Sequence, residues 1–180
     1  MPLLVLDRDG VINEDSEDYI RSLADWQPIP GSLEAIARLT QAGYRVVVAT
    51  NQSGVGRGLF ETDTLIAIHD KMLKALTQVG GRIDAIFFCP HPADSTCNCR
   101  KPKPGMFLQI AERFNVELKD VPTVGDSLRD IEAGLAVGCT PYLVQTGKGK
   151  KTAENPALPP QTKIFPDLAA VARHLLLNRA

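Results

Sequence analysis

Residues 3–13, Leu3-Leu4-Val5-Leu6-Asp7-Arg8-Asp9-Gly10-Val11-Ile12-Asn13, decide the fold. An unbroken apolar run followed at once by charge reads as a short strand buried on both faces. Asp7 and Asp9 then stand at its carboxyl end, where open α/β sheets bind their ligands. Two acids leaving a buried strand are costly unless they hold a cation or do chemistry. Mg²⁺ is commonly held by one or two carboxylates plus a substrate phosphate. A carboxylate can also attack phosphorus and form an acyl phosphate. A plain turn or helix cap is the alternative reading. A calcium EF-hand loop does not fit, because a strand precedes the acids and the later ligand positions are wrong.

Outward from this stretch, apolar strand-like runs alternate with helical spacing. Leu33, Ile36, Ala37 and Leu39 predict a helix over 32–42, closed by Gly43, and residues 45–49 a second buried strand. A helix over 62–79 comes next, with Thr62 as candidate cap and Leu65, Ile66, Ile68, Met72, Leu73 and Leu76 on its inner side. Residues 83–88, 121–124 and 142–144 read as strands; 106–114, 128–137 and 167–177 read as helices. Residues 148–161 read as a Lys/Pro-rich loop. The alternation implies a Rossmann-like α/β fold, a parallel sheet with helices on both faces.

The other strand ends carry polar residues as well. Thr50-Asn51-Gln52-Ser53-Gly54-Val55-Gly56-Arg57-Gly58 offers a hydroxyl, an amide and exposed N–H groups suited to a phosphate oxyanion. It is neither a Walker loop nor Gly-x-Gly-x-x-Gly, since Leu59 takes the third glycine position. A simple turn remains the alternative. Arg100-Lys101-Pro102-Lys103 supplies cations that either neutralise phosphate or are merely solvated. Gly125-Asp126-Ser127-Leu128-Arg129-Asp130 adds acids at a strand-to-helix turn, with an N-cap by Asp126 or Ser127 as the simpler role. Together these positions offer a nucleophile, a phosphate cradle, a neutralising cation and a metal site.

Length and composition bound the function classes. The 180 residues are 44% hydrophobic and 23% charged, which suits one globular domain over 1–180. Twenty basic against 21 acidic side chains leave a net charge of -1, removing the simplest argument for a nucleic-acid partner. No apolar run is long enough for a membrane span and no secretory leader is evident, so a cytoplasmic protein is expected.

Three of the four cysteines crowd with a histidine into 89–99: Cys89, His91, Cys97 and Cys99. That set suits tetrahedral Zn²⁺ with no open position, hence a structural site that orders an irregular loop. Free thiols beside a surface histidine are the alternative. Cys139 lies apart and reads as a small packed hydrophobe. His69 and His174 read as helix-surface residues, and Trp26 as local packing or a lid.

The motifs around Asp7 and Asp9, Thr50-Asn51, Lys101, and Gly125-Asp126 through Asp130 resemble, in order, those of haloacid-dehalogenase superfamily phosphatases. Residues 50–58, the Cys/His loop and Cys99-Arg100-Lys101-Pro102 resemble more narrowly the heptose 1,7-bisphosphate 7-phosphatase branch, to which the histidinol-phosphatase domain is related. The likeness spans about residues 3–147.

That resemblance implies Asp7 as the nucleophile and Asp9 as the general acid and base. It also implies Mg²⁺ held by Asp7, the Asp9 carbonyl and Asp126, with Thr50 and Lys101 stabilising the phosphoryl charge. By the same likeness Asp15, Tyr19, Asn51, Gln52, Ser53 and Arg100 contact substrate, and Arg8 faces away from the phosphate. The roles of Ser127, Asp130 and the Lys148–Lys151 run are left open.

The gaps between motifs leave no room for a large cap domain, so short loops must select a phosphorylated sugar. The expected enzyme is a monomeric phosphoric monoester hydrolase that removes the 7-phosphate in lipopolysaccharide core precursor synthesis. Histidinol phosphate hydrolysis and a non-catalytic metal-stabilised binding protein are the alternatives.

Overall fold

The computed structural model describes residues 1–179. Its centre is a six-stranded sheet in the order β3-β2-β1-β4-β5-β6. The strands are β1 Leu3–Leu6, β2 Arg45–Asn51, β3 Ala85–Cys89, β4 Pro122–Gly125, β5 Thr140–Val144 and β6 Lys163–Phe165. Every neighbouring pair is parallel, and β1 meets β2 with Leu3 opposite Arg45 and Leu6 opposite Val48. The helices are α1 Ser32–Gln41, α2 Ser53–Gly56, α3 Thr62–Gln78, α4 Gly105–Phe114, α5 Leu128–Leu135, α6 Gly149–Ala153 and α7 Leu168–Leu177.

Strand alternation divides the core in two. Leu4, Leu6, Val46 and Val48 pack beneath α1, α3 and α7 with Ile36, Leu39, Met72 and Val171. Leu3, Val5, Val47 and Ala49 face the opposite way, onto Met106, Phe107 and Ile110 of α4 and Ala133 of α5. Each fully buried aliphatic side chain contributes about 1.5–3 kcal/mol through apolar burial. That driving force explains why strands without solvent-facing alternation form only here, between two helical layers.

The chain leaves β1 in one direction to β2 and β3, then returns to β4 on its other side. This reversal opens a crevice at the carboxyl ends of β1 and β4, where the Asp7 amide donates to Val124 O at 2.9 Å. Only a loop separates β1 from α1, and only the Cys/His loop separates β3 from α4. No helix of the described residues is long and apolar enough to cross a membrane.

Three local expectations are corrected. Residues 148–161 are not all loop: α6 forms at their start, with Thr152 Oγ1 donating to Asp126 O at 2.8 Å. The short edge strand β6 gave no apolar alternation to find, being drawn into the sheet by pairing with Tyr142 to Val144. Thr62 is the first residue of α3, not its cap; Glu61 holds that place without a side-chain cap bond.

Candidate active site

The turn out of β1 delivers Asp7 and Asp9 with opposite surroundings. Asp7 faces the crevice, where one carboxylate oxygen each of Asp7, Asp126 and Asp130 lie within 4.8 Å of one another. Lys101 enters this group fully buried. Its Nζ stands 3.1 Å from Asp7 Oδ1 and 2.7 Å from Asp130 Oδ1, and donates to Ala49 O at 2.7 Å. Asp130 is committed elsewhere too: its Oδ2 accepts from the Asp126 and Ser127 amides and the Ser127 hydroxyl, closing a capping box on α5.

One ammonium does not balance three carboxylates. Burial, then the Asp130 charge, pushes Asp7 up to about 7. Burial with Asp130 and Asp7 pushes Asp126 up to about 8. Crowded acids with raised proton affinity and hard oxygen donors fit a divalent cation such as Mg²⁺. Asp126 is aimed by its neighbours: Lys148 N donates to Oδ2 at 2.9 Å, and Gly10 and Gly147 press against the same carboxylate. Gly10, at φ +82°, combines a left-handed turn with a contact that leaves no space for a Cβ.

Asp9 turns away from this cluster. Its Oδ1 accepts from Arg8 Nε at 2.8 Å and Asn13 Nδ2 at 3.0 Å, and its Oδ2 from Gln52 Nε2 at 3.1 Å. Burial would raise this acid, but the Arg8 guanidinium and these hydrogen bonds hold it below the usual carboxylate range. Both of its oxygens are thereby held in place. Arg8 is wholly buried and does not line the pocket, as expected.

A polar pocket of about 190 Å³ opens above Asp7. Asp15 and Tyr19 reach it from the loop after β1; Gln52 and Ser53 reach it from the β2–α2 turn; Arg100 and Lys101 come from the Cys/His loop. Asn51 also lines it, but its side chain is tied to Lys101: Nδ2 donates to Lys101 O at 3.1 Å and Lys101 N donates to Oδ1 at 3.0 Å. Thr50 is fully buried and absent from the pocket lining, with its Oγ1 accepting from Gln52 Nε2 at 2.9 Å.

Three basic residues on the pocket wall were not assigned from sequence: Arg57, Arg129 and Lys148. The first two lie inside motifs already singled out. Lys148 lies at the start of a basic run and pairs with Asp15 at 3.6 Å.

The Cys/His loop gathers its donors. Cys89 Sγ lies 3.4 Å from His91 Nδ1 and 3.8 Å from Cys97 Sγ, and His91 Nδ1 lies 3.2 Å from Cys99 Sγ. All four donor atoms fall within 4.8 Å of one another. Three thiols and an imidazole, converging from an irregular loop with Cys89 buried, fit Zn²⁺. The loop continues directly into Arg100, whose Nη1 donates to His91 O at 3.3 Å. Cys139 is buried in the same apolar layer as Cys89, but it is not among the four donors that converge.

His69 corrects an expectation. It is buried on α3, not exposed, with Nε2 3.0 Å from Arg8 Nη1. The signal was its place in the stripe Leu65, Ile68, His69, Met72, Leu76, all on one face. Trp26 is buried packing, its ring under Lys71 Nζ at 5.7 Å. His174 is half-buried against Tyr142 and Phe165.

Comparison with known proteins places these observations. A HAD-hydrolase-like family profile matches residues 98–171. The chain is 59% identical over 176 residues to D-glycero-beta-D-manno-heptose-1,7-bisphosphate 7-phosphatase of Bordetella bronchiseptica, covering 98% of each chain. It is 55% identical over 174 residues to the protein of the same name from Pseudomonas aeruginosa, covering 97% of each. A crystal structure of D,D-heptose 1,7-bisphosphate phosphatase from B. bronchiseptica, complexed with magnesium and phosphate, superposes with TM-score 0.97 over 98% of this chain and 99% of that one.

Proposed function

Because the chain belongs to the family of D-glycero-beta-D-manno-heptose-1,7-bisphosphate 7-phosphatases, we propose that it hydrolyses the 7-phosphate ester of that sugar bisphosphate, in its beta form, in the supply of lipopolysaccharide core precursors. The observation that carries this reading is the buried Lys101 ammonium between Asp7 and Asp130, at the floor of a pocket walled by Arg57, Arg100, Arg129 and Lys148. One phosphate fits the floor, and the basic wall suits a second anionic group on the same molecule.

Asp7 attacks phosphorus, the P–O bond to the sugar breaks, and an aspartyl-phosphate forms. Asp9 gives its proton to the departing alcohol oxygen. In the resting site Asp9 is ionised; an anionic phosphate arriving beside it raises its proton affinity, so protonation is coupled to substrate binding. Asp9 then takes a proton from water, whose oxygen attacks the same phosphorus and frees Asp7. Lys101 neutralises charge spreading over the phosphoryl oxygens. Thr50, withdrawn from the pocket, holds Gln52 against Asp9. Asn51 sets the Lys101 backbone.

Mg²⁺ would be held by Asp7, the Asp9 carbonyl and Asp126, and when bound it supplies positive charge to the phosphoryl oxygens. The crystal structure of the Bordetella relative, complexed with magnesium and phosphate, supports Mg²⁺ as the ion. Zn²⁺ at Cys89, His91, Cys97 and Cys99 would cross-link the loop that carries Arg100 and Lys101. Three thiolates given to zinc and an unpaired Cys139 suit a reducing, cytoplasmic setting. A small polar pocket suits a metabolite rather than a nucleic acid, within a single monomeric domain.

The test is a substrate panel with Mg²⁺: both anomers of the heptose bisphosphate and histidinol phosphate, with ³¹P NMR identifying the phosphate released. Preferred loss of the 7-phosphate from the beta anomer is expected. Faster turnover of histidinol phosphate would overturn the substrate assignment, and no turnover of any ester would favour a binding protein.

A further inference from the structure

We infer that His69 is a positioning residue for the acid–base step: it accepts a hydrogen bond from Arg8 and thereby fixes the guanidinium that orients the Asp9 carboxylate. The inference rests on the reading of Asp9 as general acid. Its basis is a continuous chain of buried contacts from α3 to the reacting acid.

Arg8 carries no acceptor, so at 3.0 Å from Arg8 Nη1 the His69 Nε2 must be the unprotonated ring nitrogen. The rest of the same guanidinium is already committed. Nε donates to Asp9 Oδ1 at 2.8 Å, Nη2 lies 2.7 Å from that oxygen, and Nη2 also donates to Gln52 Oε1 at 3.3 Å. Gln52 in turn holds the other oxygen of Asp9. His69 thus supplies the outer acceptor of a fork whose inner edge grips the acid.

Burial makes the acceptor matter. Arg8 is fully buried, so a guanidinium N–H left without a partner is costly in a way that it is not at the surface. Without His69, the guanidinium gains by turning towards another acceptor, and the Asp9 carboxylate turns with it. The imidazole stays neutral: burial and the Arg8 charge push it down to about 3. The imidazole shares the buried face of α3 with Leu65, Ile68 and Met72 and lies tilted against the Phe88 ring, centroids 6.5 Å apart. Among the described residues the hydrogen-bonding contact of Nε2 is with the arginine next to Asp9.

A misplaced general acid penalises esters with poor leaving groups, because only these need a proton to depart. The test therefore compares kcat/KM for heptose bisphosphate and for p-nitrophenyl phosphate, whose phenolate leaves unaided. Asp9→Asn sets the scale by slowing the sugar ester far more than the aryl ester. His69→Leu and His69→Phe are expected to lower kcat/KM for the sugar ester about tenfold, a fraction of what general acid catalysis supplies. The aryl ester is expected to change less than about twofold. His69→Gln, which restores an acceptor near the Nε2 position, is expected to recover most of the loss.

Equal losses on both esters, or failure of His69→Gln to recover the sugar ester, would overturn the role of His69. If either apolar variant melts out before the assay temperature, the other and His69→Gln carry the comparison. Should Asp9→Asn itself slow both esters alike, the general-acid reading fails, and the inference falls with it. A selective Asp9→Asn beside an unselective His69→Leu removes only the inference.

Discussion

Lys101 and Asp130 form an ion pair at 2.7 Å with both side chains nearly sealed from water. Lys101 belongs to the loop after the Cys/His cluster and Asp130 to the first turn of α5, so the pair joins the two sides of the crevice at its floor. Asp130 also caps α5, which couples helix placement to the ammonium that faces Asp7.

Removing one partner of such a pair leaves the other charged and buried. Lys101→Met is expected to destabilise the fold by about 3–5 kcal/mol, read as a lower denaturant midpoint. Phosphatase activity is expected to fall at least about a hundredfold, as for a lost electrostatic stabiliser. Asp130→Asn should lower stability with a smaller effect on turnover, since Asp130 supports Lys101 without lining the pocket.

Stability of the metal-free protein should depend on pH through the crowded acids. Asp7 and Asp126 shift from an ordinary 3.8 to about 7 and about 8 on folding. Between those limits the folded protein binds more protons than the unfolded chain, so stability falls as pH rises. Mg²⁺ binds the ionised carboxylates, and its stabilising effect grows over the same range. Melting curves with and without Mg²⁺ are expected to show a larger Tm increase near pH 8 than near pH 6. An increase that shrinks with rising pH would place the metal elsewhere.

Gly10→Ala places a methyl against the Asp126 carboxylate and strains a φ of +82°. Displacing a metal ligand through its neighbour costs roughly 10–100-fold in affinity. Titration of activity with Mg²⁺ is expected to show that weakening. Recovery of turnover at saturating metal would separate it from damage to Asp7.

Cys97→Ser removes one donor from the four-atom cluster, whereas Cys139→Ser changes a buried thiol of the same apolar layer that is not one of the donors. Metal analysis is expected to find one zinc per chain in Cys139→Ser and none in Cys97→Ser. The latter is also expected to lose activity at saturating Mg²⁺, because Arg100 and Lys101 follow Cys99 directly. Arg100→Ala with zinc retained is expected to raise KM for the bisphosphate about tenfold, equal to ~1.4 kcal/mol, and to leave KM for a monophosphate nearly unchanged.

Much of this protein is local in origin. The strand Leu3–Leu6, the acids at its end and the spacing of Cys89, His91, Cys97 and Cys99 are short-range patterns. Apolar periodicity and residue spacing therefore revealed the parallel α/β fold, the acids at the strand ends and the Cys/His loop. Hydrophobic patterning does not report which polar side chains meet across the fold.

Only the tertiary structure decided those meetings. Asn51 spends its amide on the Lys101 backbone, 50 residues away. His69 lies inside and 61 residues from the arginine it contacts. Thr50 withdraws behind Gln52, and Arg57, Arg129 and Lys148 join the pocket wall. The Asn51–Lys101 and Arg8–His69 meetings depend on strands β1, β2 and β3 being laid side by side, because buried hydrogen-bonding partners are chosen by proximity after the core has closed, not by spacing along the chain. The sequence by itself determined the sheet and the polar residues at its edge; packing of the helices on that sheet decided which side chains hold the acid and which face the pocket.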